Sequence, residues 1–132
     1  VVNELVSPLI NLDKKENYIA NVRPKIETRK MSAEEKIKLI KEHPEYGEII
    51  CQCEKISKGE ILDAMSRSDH PHTIKAIKKR CRAGFGKCQG GFCQPLVAKL
   101  ISEYYHIPLT EVQYSKIGSN VVRYPTKGAK HD

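Results

Sequence analysis

Apolar positions along this chain come in short bursts separated by polar or glycine-rich stretches. The first burst, Val1, Val2, Leu5, Val6, Leu9 and Ile10, predicts a helix within 1–12 whose length Pro8 limits. Residues 11–31 are polar and charged, contain Pro24 and show no period, so they read as a linker or extended arm that orders only where it docks. Ser32-Ala-Glu-Glu35 is a capping box, and Ile37, Leu39 and Ile40 follow near helical spacing, predicting a helix over 33–42 that Pro44 ends. Glu48-Ile-Ile-Cys51 reads as extended. A second capping box, Ser57-Lys-Gly-Glu60, opens a short helix with Ile61, Leu62 and Met65 on its apolar face. Residues 69–72 form a turn. A third helix is expected over 74–82, with Ile74, Ile77 and Cys81 on one side and Gly84 as its C-cap. The four glycines of 84–91 exclude regular helix there. A fourth helix starts near Cys93 with Pro95 in its first turn. Leu96, Val97, Leu100, Ile101, Tyr104 and Tyr105 are its expected buried stripe, and 106–108 close it. Thr110-Glu-Val-Gln113 reads as a third capping box on a one-turn helix, and 119–124 as a strand whose candidate partner is 48–51.

This pattern predicts a mainly α fold: a small domain of short helices packed at steep angles, with one short strand pair. It divides the chain into a preceding tail and linker (1–31), the domain with its lead-in helix (32–118), and a C-terminal strand with a loose tail (119–132).

Composition sharpens the picture. With 132 residues, 39% hydrophobic and 6% aromatic content, and no tryptophan, the core is thin. Small domains of this kind often rely on a metal or a disulfide. The net charge of +7 describes a solvated lysine-rich surface. Its functional versions are a docking face for an acidic partner, an anionic cofactor or nucleic acid. Five cysteines is an odd number, against a complete disulfide framework. No basic start followed by an apolar run marks a secretory signal, and no apolar stretch is long enough to span a bilayer. A reducing, cytoplasmic setting is expected, where cysteine pairs more often bind metal than form disulfides. The start at Val1 is read as a cut from something larger.

Four of the five cysteines form two tight pairs, Cys51-Gln-Cys53 and Cys88-Gln-Gly-Gly-Phe-Cys93. Two such pairs on separate loops can converge on one four-thiolate metal site. The second lies in Arg82-Ala-Gly-Phe-Gly-Lys-Cys-Gln-Gly-Gly-Phe-Cys93, where glycines admit backbone N–H groups close to sulfur. No acidic residue occurs between His70 and Ser102, while Lys75, Lys78, Lys79, Arg80, Arg82, Lys87 and Lys99 are all basic. A four-thiolate [2Fe–2S] core, with a charge of roughly −2 when oxidised, calls for such surroundings. A helix N-terminus at Cys93 adds partial positive charge. The reading is therefore a [2Fe–2S] centre in an electron-transfer module.

Structural zinc is the first rival, but its usual knuckles are C-x₂-C, unlike the C-x-C and C-x₄-C here. A redox disulfide is the second. The third is nucleic-acid binding by the basic run, which lacks interleaved aromatics for base stacking. Cys81 reads as a small buried hydrophobe, with a thiol near the cluster as the alternative. His70 and His72 read as exposed turn residues, and Tyr104 and Tyr105 as core. No Ser/His/Asp pattern is present. Gly84-Phe-Gly86 is too short for a dinucleotide loop, so no catalytic residue is assigned.

On these residues the chain resembles the BFD-like [2Fe–2S] domain, the fold of bacterioferritin-associated ferredoxin. The resemblance rests on Cys51-Gln-Cys53-Glu54, the helix at Ser57-Lys-Gly-Glu-Ile61, and the 82–93 loop, and it covers about 49–106. The 34–51 lead-in and Ile107-Pro-Leu-Thr-Glu-Val112 look like the carboxy-terminal part of FAD-dependent glycerol-3-phosphate dehydrogenases of the anaerobic type. That resemblance implies Cys51, Cys53, Cys88 and Cys93 as the iron ligands, two per iron. It also implies FAD in the parent protein only, the parent's flavin domain as one partner, and an electron-acceptor protein or subunit as another. Gln52 and Cys81 stand where that family pattern carries arginine and threonine. The other readings held open are a stand-alone ferredoxin-like module and a zinc-stabilised interaction domain.

Overall fold

The computed structural model describes residues 2–6, 8, 9, 16, 23–124 and 127. Most of the first half of the expected 11–31 linker, residues 1, 7 and 10–12 of the first apolar segment, and most of the 125–132 tail lie outside the described residues.

A short helix α1 spans Val2–Val6. Helix α2 spans Ala33–Glu42, where the sequence places it, and both halves of the Ser32/Glu35 capping box form. Pro44 then opens a short 3-10 turn, Pro44–Gly47. Strand β1 (Ile49–Cys51) pairs antiparallel with β2 (Ile56–Ser57), with Cys51 opposite Ile56. The expected partner for this strand was the 119–124 segment. The real partner is nearer in sequence, because the turn carrying Cys53 and Lys55 (φ 55) reverses the chain within a few residues. Among the described residues the 119–124 segment makes only an isolated bridge, Asn120 to Gln113.

Helix α3 spans Lys58–Met65 and its Ser57/Glu60 capping box is complete. Helix α4 spans Ile74–Cys81. Its C-cap is Arg82, in the left-handed region at φ 70, rather than Gly84, which lies beyond it in the loop. Helix α5 spans Gln94–Tyr105, with Pro95 in the first turn and left-handed His106 closing it. The expected capping box at Thr110 does not form. A 3-10 turn, Leu109–Glu111, starts one residue earlier behind Pro108 and has no side-chain cap.

The core unites both strands with the inner faces of three helices. Ile50, Cys51 and Ile56 meet Ile61 and Met65 of α3, Ile74 and Ile77 of α4, and Val97, Leu100 and Ile101 of α5. The expected α5 stripe is half right. Leu96 and Tyr104 are open to solvent and Ala98 takes an inward place. Tyr105 is part-buried, and its hydroxyl donates to the carbonyls of Met65 and Pro71 at 3.3 Å each. The residues after α5 close the other end of the core. Val112 is fully buried, and the carbonyls of Gln113 and Tyr114 accept from the first N–H groups of α4, which have no partner within the helix.

The end of the arm is docked. Arg67 donates to the carbonyls of Arg23 and Pro24, and Lys25 to that of Arg80. Thr28 is buried, and its N–H and hydroxyl both donate to the Glu60 carboxylate at 3.2 and 2.9 Å. That carboxylate also accepts from the N–H and hydroxyl of Ser57 at 2.8 Å each. One buried carboxylate thus caps α3, anchors β2 and holds the arm, accepting four hydrogen bonds, three of them at Oε2.

Candidate metal centre

Two turns bring the paired cysteines together. Cys51 ends β1 with its side chain in the core, and Cys53 lies two residues on, in the exposed turn to β2. The second pair follows α4, on a loop built from backbone hydrogen bonds. Phe85 N–H donates to Arg82 O, Gln89 to Gly86, Gly91 to Cys88, and Gln94 to Gly90. Cys93 is the N-cap residue of α5 and is buried.

A thiol–thiol contact joins the two loops: Cys53 Sγ lies 3.5 Å from Cys88 Sγ. Cys51 and Cys93 are both buried, and Cys51 is near enough to Cys93 to help raise its pKa. One pair is outer, with Cys53 exposed and Cys88 half-buried. The other is inner, with Cys51 and Cys93 at 1% and 2% exposure. Among the described residues, no three or more His, Cys, Asp or Glu side chains gather as a site for a metal ion.

The backbone around the pairs suits an anionic sulfur group. Gly84 N–H points at Cys51 Sγ at 3.5 Å. Gly84 itself has a φ of +87, a conformation that other residues rarely adopt. The N–H of Gly90, the Cys53 thiol, and the N–H groups of Phe92 and Gly91 hold the Cys88 thiol below its ordinary pKa. Burial, then the neighbouring Cys51, pushes Cys93 up to about 12 in the metal-free state. Gly86 closes the pocket over the outer pair: a Cβ there would lie 2.2 Å from the Cys53 Cβ. Thiols at Cys53 and Cys88 in contact, N–H donors aimed at Cys51 and Cys88, and a glycine where no Cβ has room are the kind of surroundings an anionic sulfur group needs.

The cations need correction. Arg82 is paired to Glu54 at 2.9 Å, Arg80 to Asp69, and Lys99 to Glu103 at 3.7 Å. Lys75, Lys78, Lys79 and Lys87 keep no carboxylate partner among the described residues. Glu54 was the missed residue. It directly follows Cys53 and also meets Arg29 of the arm at 3.4 Å, tying the arm to the cysteine turn. Its place beside the C-x-C pair was the available signal.

The remaining candidates take their simpler roles. Cys81 is part-buried, donates to Ile77 O at 3.3 Å, and is pushed up to about 11 by burial, as a small hydrophobe on α4 would be. His70 and His72 are exposed in their turn.

Residues 49–103 match the BFD-like [2Fe-2S] binding domain family. Over 127 residues the chain is 37% identical to a glycerol 3-phosphate dehydrogenase of Caloramator mitchellensis, covering 96% of this chain and 26% of that protein. Over 96 residues it is 26% identical to hydrogen cyanide synthase subunit HcnB of Pseudomonas aeruginosa, covering 68% of this chain and 19% of that protein. The chain thus spans about a quarter or less of the length of these curated relatives. No solved structure matches it.

Proposed function

The chain carries a BFD-like [2Fe-2S] binding domain at residues 49–103, and on that premise we propose that it is a one-electron relay whose cluster is held by Cys51, Cys53, Cys88 and Cys93. The observation that carries this reading is the contact of Cys53 with Cys88, from two cysteine pairs distant in sequence, beside backbone N–H groups turned toward the Cys51 and Cys88 sulfurs. When bound, the cluster supplies reversible uptake of a single electron. The chain's own part is to supply four thiolates, to direct the Gly84, Gly90, Gly91 and Phe92 N–H groups at sulfur, and to exclude water from Cys51 and Cys93.

The wider reading places this domain in an FAD-dependent glycerol-3-phosphate dehydrogenase, passing electrons from the flavin domain of the parent chain to a downstream acceptor in the cytoplasm. Its support is the similarity to the Caloramator protein, which runs through 96% of this chain. It extends past the cysteine domain into the arm and tail, segments that a free-standing module has no reason to share. Among the described residues no helix is long and apolar enough to cross a membrane.

Anaerobic reconstitution with iron and sulfide tests the ligand set. The loaded chain should show visible charge-transfer absorption and, once reduced, an electron paramagnetic resonance signal of a single unpaired electron. Cys88→Ser should lose or reshape both, and Cys81→Ser should leave both intact. A full, unaltered cluster in Cys88→Ser would remove that residue from the set. Flavin content and glycerol 3-phosphate oxidation by the intact parent protein test the wider reading.

A further inference from the structure

The chain has two phenylalanines, and neither is used in the core. Both lie on the cysteine loop. Phe92, between Gly91 and Cys93, is 83% exposed, and Phe85 is 42% exposed. Leu96, four residues on from Phe92 in the first turn of α5, is 46% exposed. The Phe92 N–H is turned toward Cys88 while its ring stands in solvent, so the backbone of this residue serves the pocket and its side chain stays outside the core. A large aromatic left in water beside an exposed thiol pair has no stabilising role in the fold.

The charges around this patch without an ion-pair partner among the described residues are positive. Lys87, on the same loop, has no carboxylate partner among the described residues. Lys78 Nζ lies 4.9 Å from the Phe85 ring centroid, and Arg82 lies 5.2 Å from it. Lys78 also packs on the loop from below, its side chain 3.8 Å from where a Gly84 Cβ would lie. The nearby carboxylates are Glu54, held by Arg82 and Arg29, and Glu103, held by Lys99. The face therefore consists of the outer thiols Cys53 and Cys88, an apolar tip at Phe92 and Leu96, and a cationic margin at Lys78 and Lys87.

We infer that this face docks a redox protein that presents carboxylates around an apolar depression, with Phe92 as the anchor residue. The inference rests on the relay reading above and adds the partner's chemistry and its point of contact. Charge complementarity selects the occupant. Lysines at the margin steer a negative surface in, and an aromatic at the centre fills a desolvated pocket, the usual division of labour in transient protein contacts. Electron exchange then takes place over the outer thiols, where the protein covering is thinnest.

The test uses the cluster-loaded chain and one electron acceptor in two charge forms: cytochrome c, which is basic, and succinylated cytochrome c, which is acidic. The reduced cluster loses one electron and the ferric haem gains it, and haem absorbance in a stopped-flow instrument reads the rate. The acidic form should react at least about fivefold faster at low salt, and the gap should close as salt screens the contact. Phe92→Ala, with rates compared per loaded cluster, should slow reaction with the acidic form by about tenfold. Leu96→Ser, outside the loop, should slow it less, and Lys87→Glu should flatten the salt dependence. Equal rates with both cytochromes, or full speed in both Phe92→Ala and Leu96→Ser, would overturn the inference. So would a dimer of the chain in sedimentation that Phe92→Ala abolishes, since the face would then belong to a second copy. A chain that assembles no cluster would sink the relay reading instead, and absorption shows this before any rate is measured.

Discussion

The inner and outer thiol pairs are chemically identical and physically opposite. Cys51 and Cys93 are built into the core: one closes a strand paired to Ile56, the other caps α5, and both pack among Ile77, Val97 and Ile101. Cys53 and Cys88 stand on turns held by backbone hydrogen bonds, with Gly86 above them and solvent beside them. The inner pair is therefore coupled to folding, and the outer pair to exchange with whatever approaches the surface. A relay benefits from that asymmetry, since one side must be rigid and dry and the other reachable.

The largest effect expected is from Gly86→Ala. The added methyl would sit 2.2 Å from the Cys53 Cβ, so the outer pair must separate. Cluster content after reconstitution should fall to near zero while the circular dichroism of the helices persists. Normal loading would show that the outer turn is not a close-packed roof.

Glu60→Ala tests the inner side at a distance. It strands the buried Ser57 and Thr28 donors and frees β2, the partner of the Cys51 strand. A loss of about 3 kcal/mol in urea unfolding is expected. Ser32→Ala, at the exposed capping box of α2, should cost only about 1 kcal/mol. Similar losses in the two variants would mean that the Glu60 contacts are no more than a cap.

A subtler test asks which thiols share an iron. Two thiolates about 2.3 Å from a tetrahedral centre stand about 3.8 Å apart, close to the 3.5 Å between Cys53 and Cys88. Serine at 53 or 88 should therefore perturb one iron in Mössbauer spectra, and serine at 51 or 93 the other. A grouping of 51 with 53 would refute pairing across the loops.

The smallest effect is in the metal-free chain. Cys88 has its pKa lowered, so more of it is thiolate at a given pH, and Cys53 is exposed. Both should react with iodoacetamide before Cys51, Cys81 and Cys93, as mass spectrometry of digests would show. For Cys81 and Cys93 the sign is reversed: burial raises their pKa values to about 11 and about 12, so their labelling should grow only as pH rises.

Local chemistry was legible residue by residue. The capping boxes at Ser32 and Ser57 set two helix starts, because a side chain and a backbone group three residues apart settle that geometry between themselves. The cysteine pairs, the glycine loop and the basic run were likewise visible as letters. The errors came where the outcome depends on distant neighbours. The 119–124 segment has strand-like residues, but the Cys53 turn offered β1 a closer partner. Leu96 and Tyr104 fit a helical stripe, yet the core reaches only the adjoining face of α5.

Spacing along the chain thus decided which residues carry the chemistry and where the helices begin, since both depend on contacts a few residues long. Only the folded chain decided that Cys53 faces Cys88 while Cys51 and Cys93 are buried, that Glu54 pairs with Arg82, and that the arm rests on Glu60. Those relations join residues roughly 30 positions apart, and burial and packing, rather than local preference, bring them within reach.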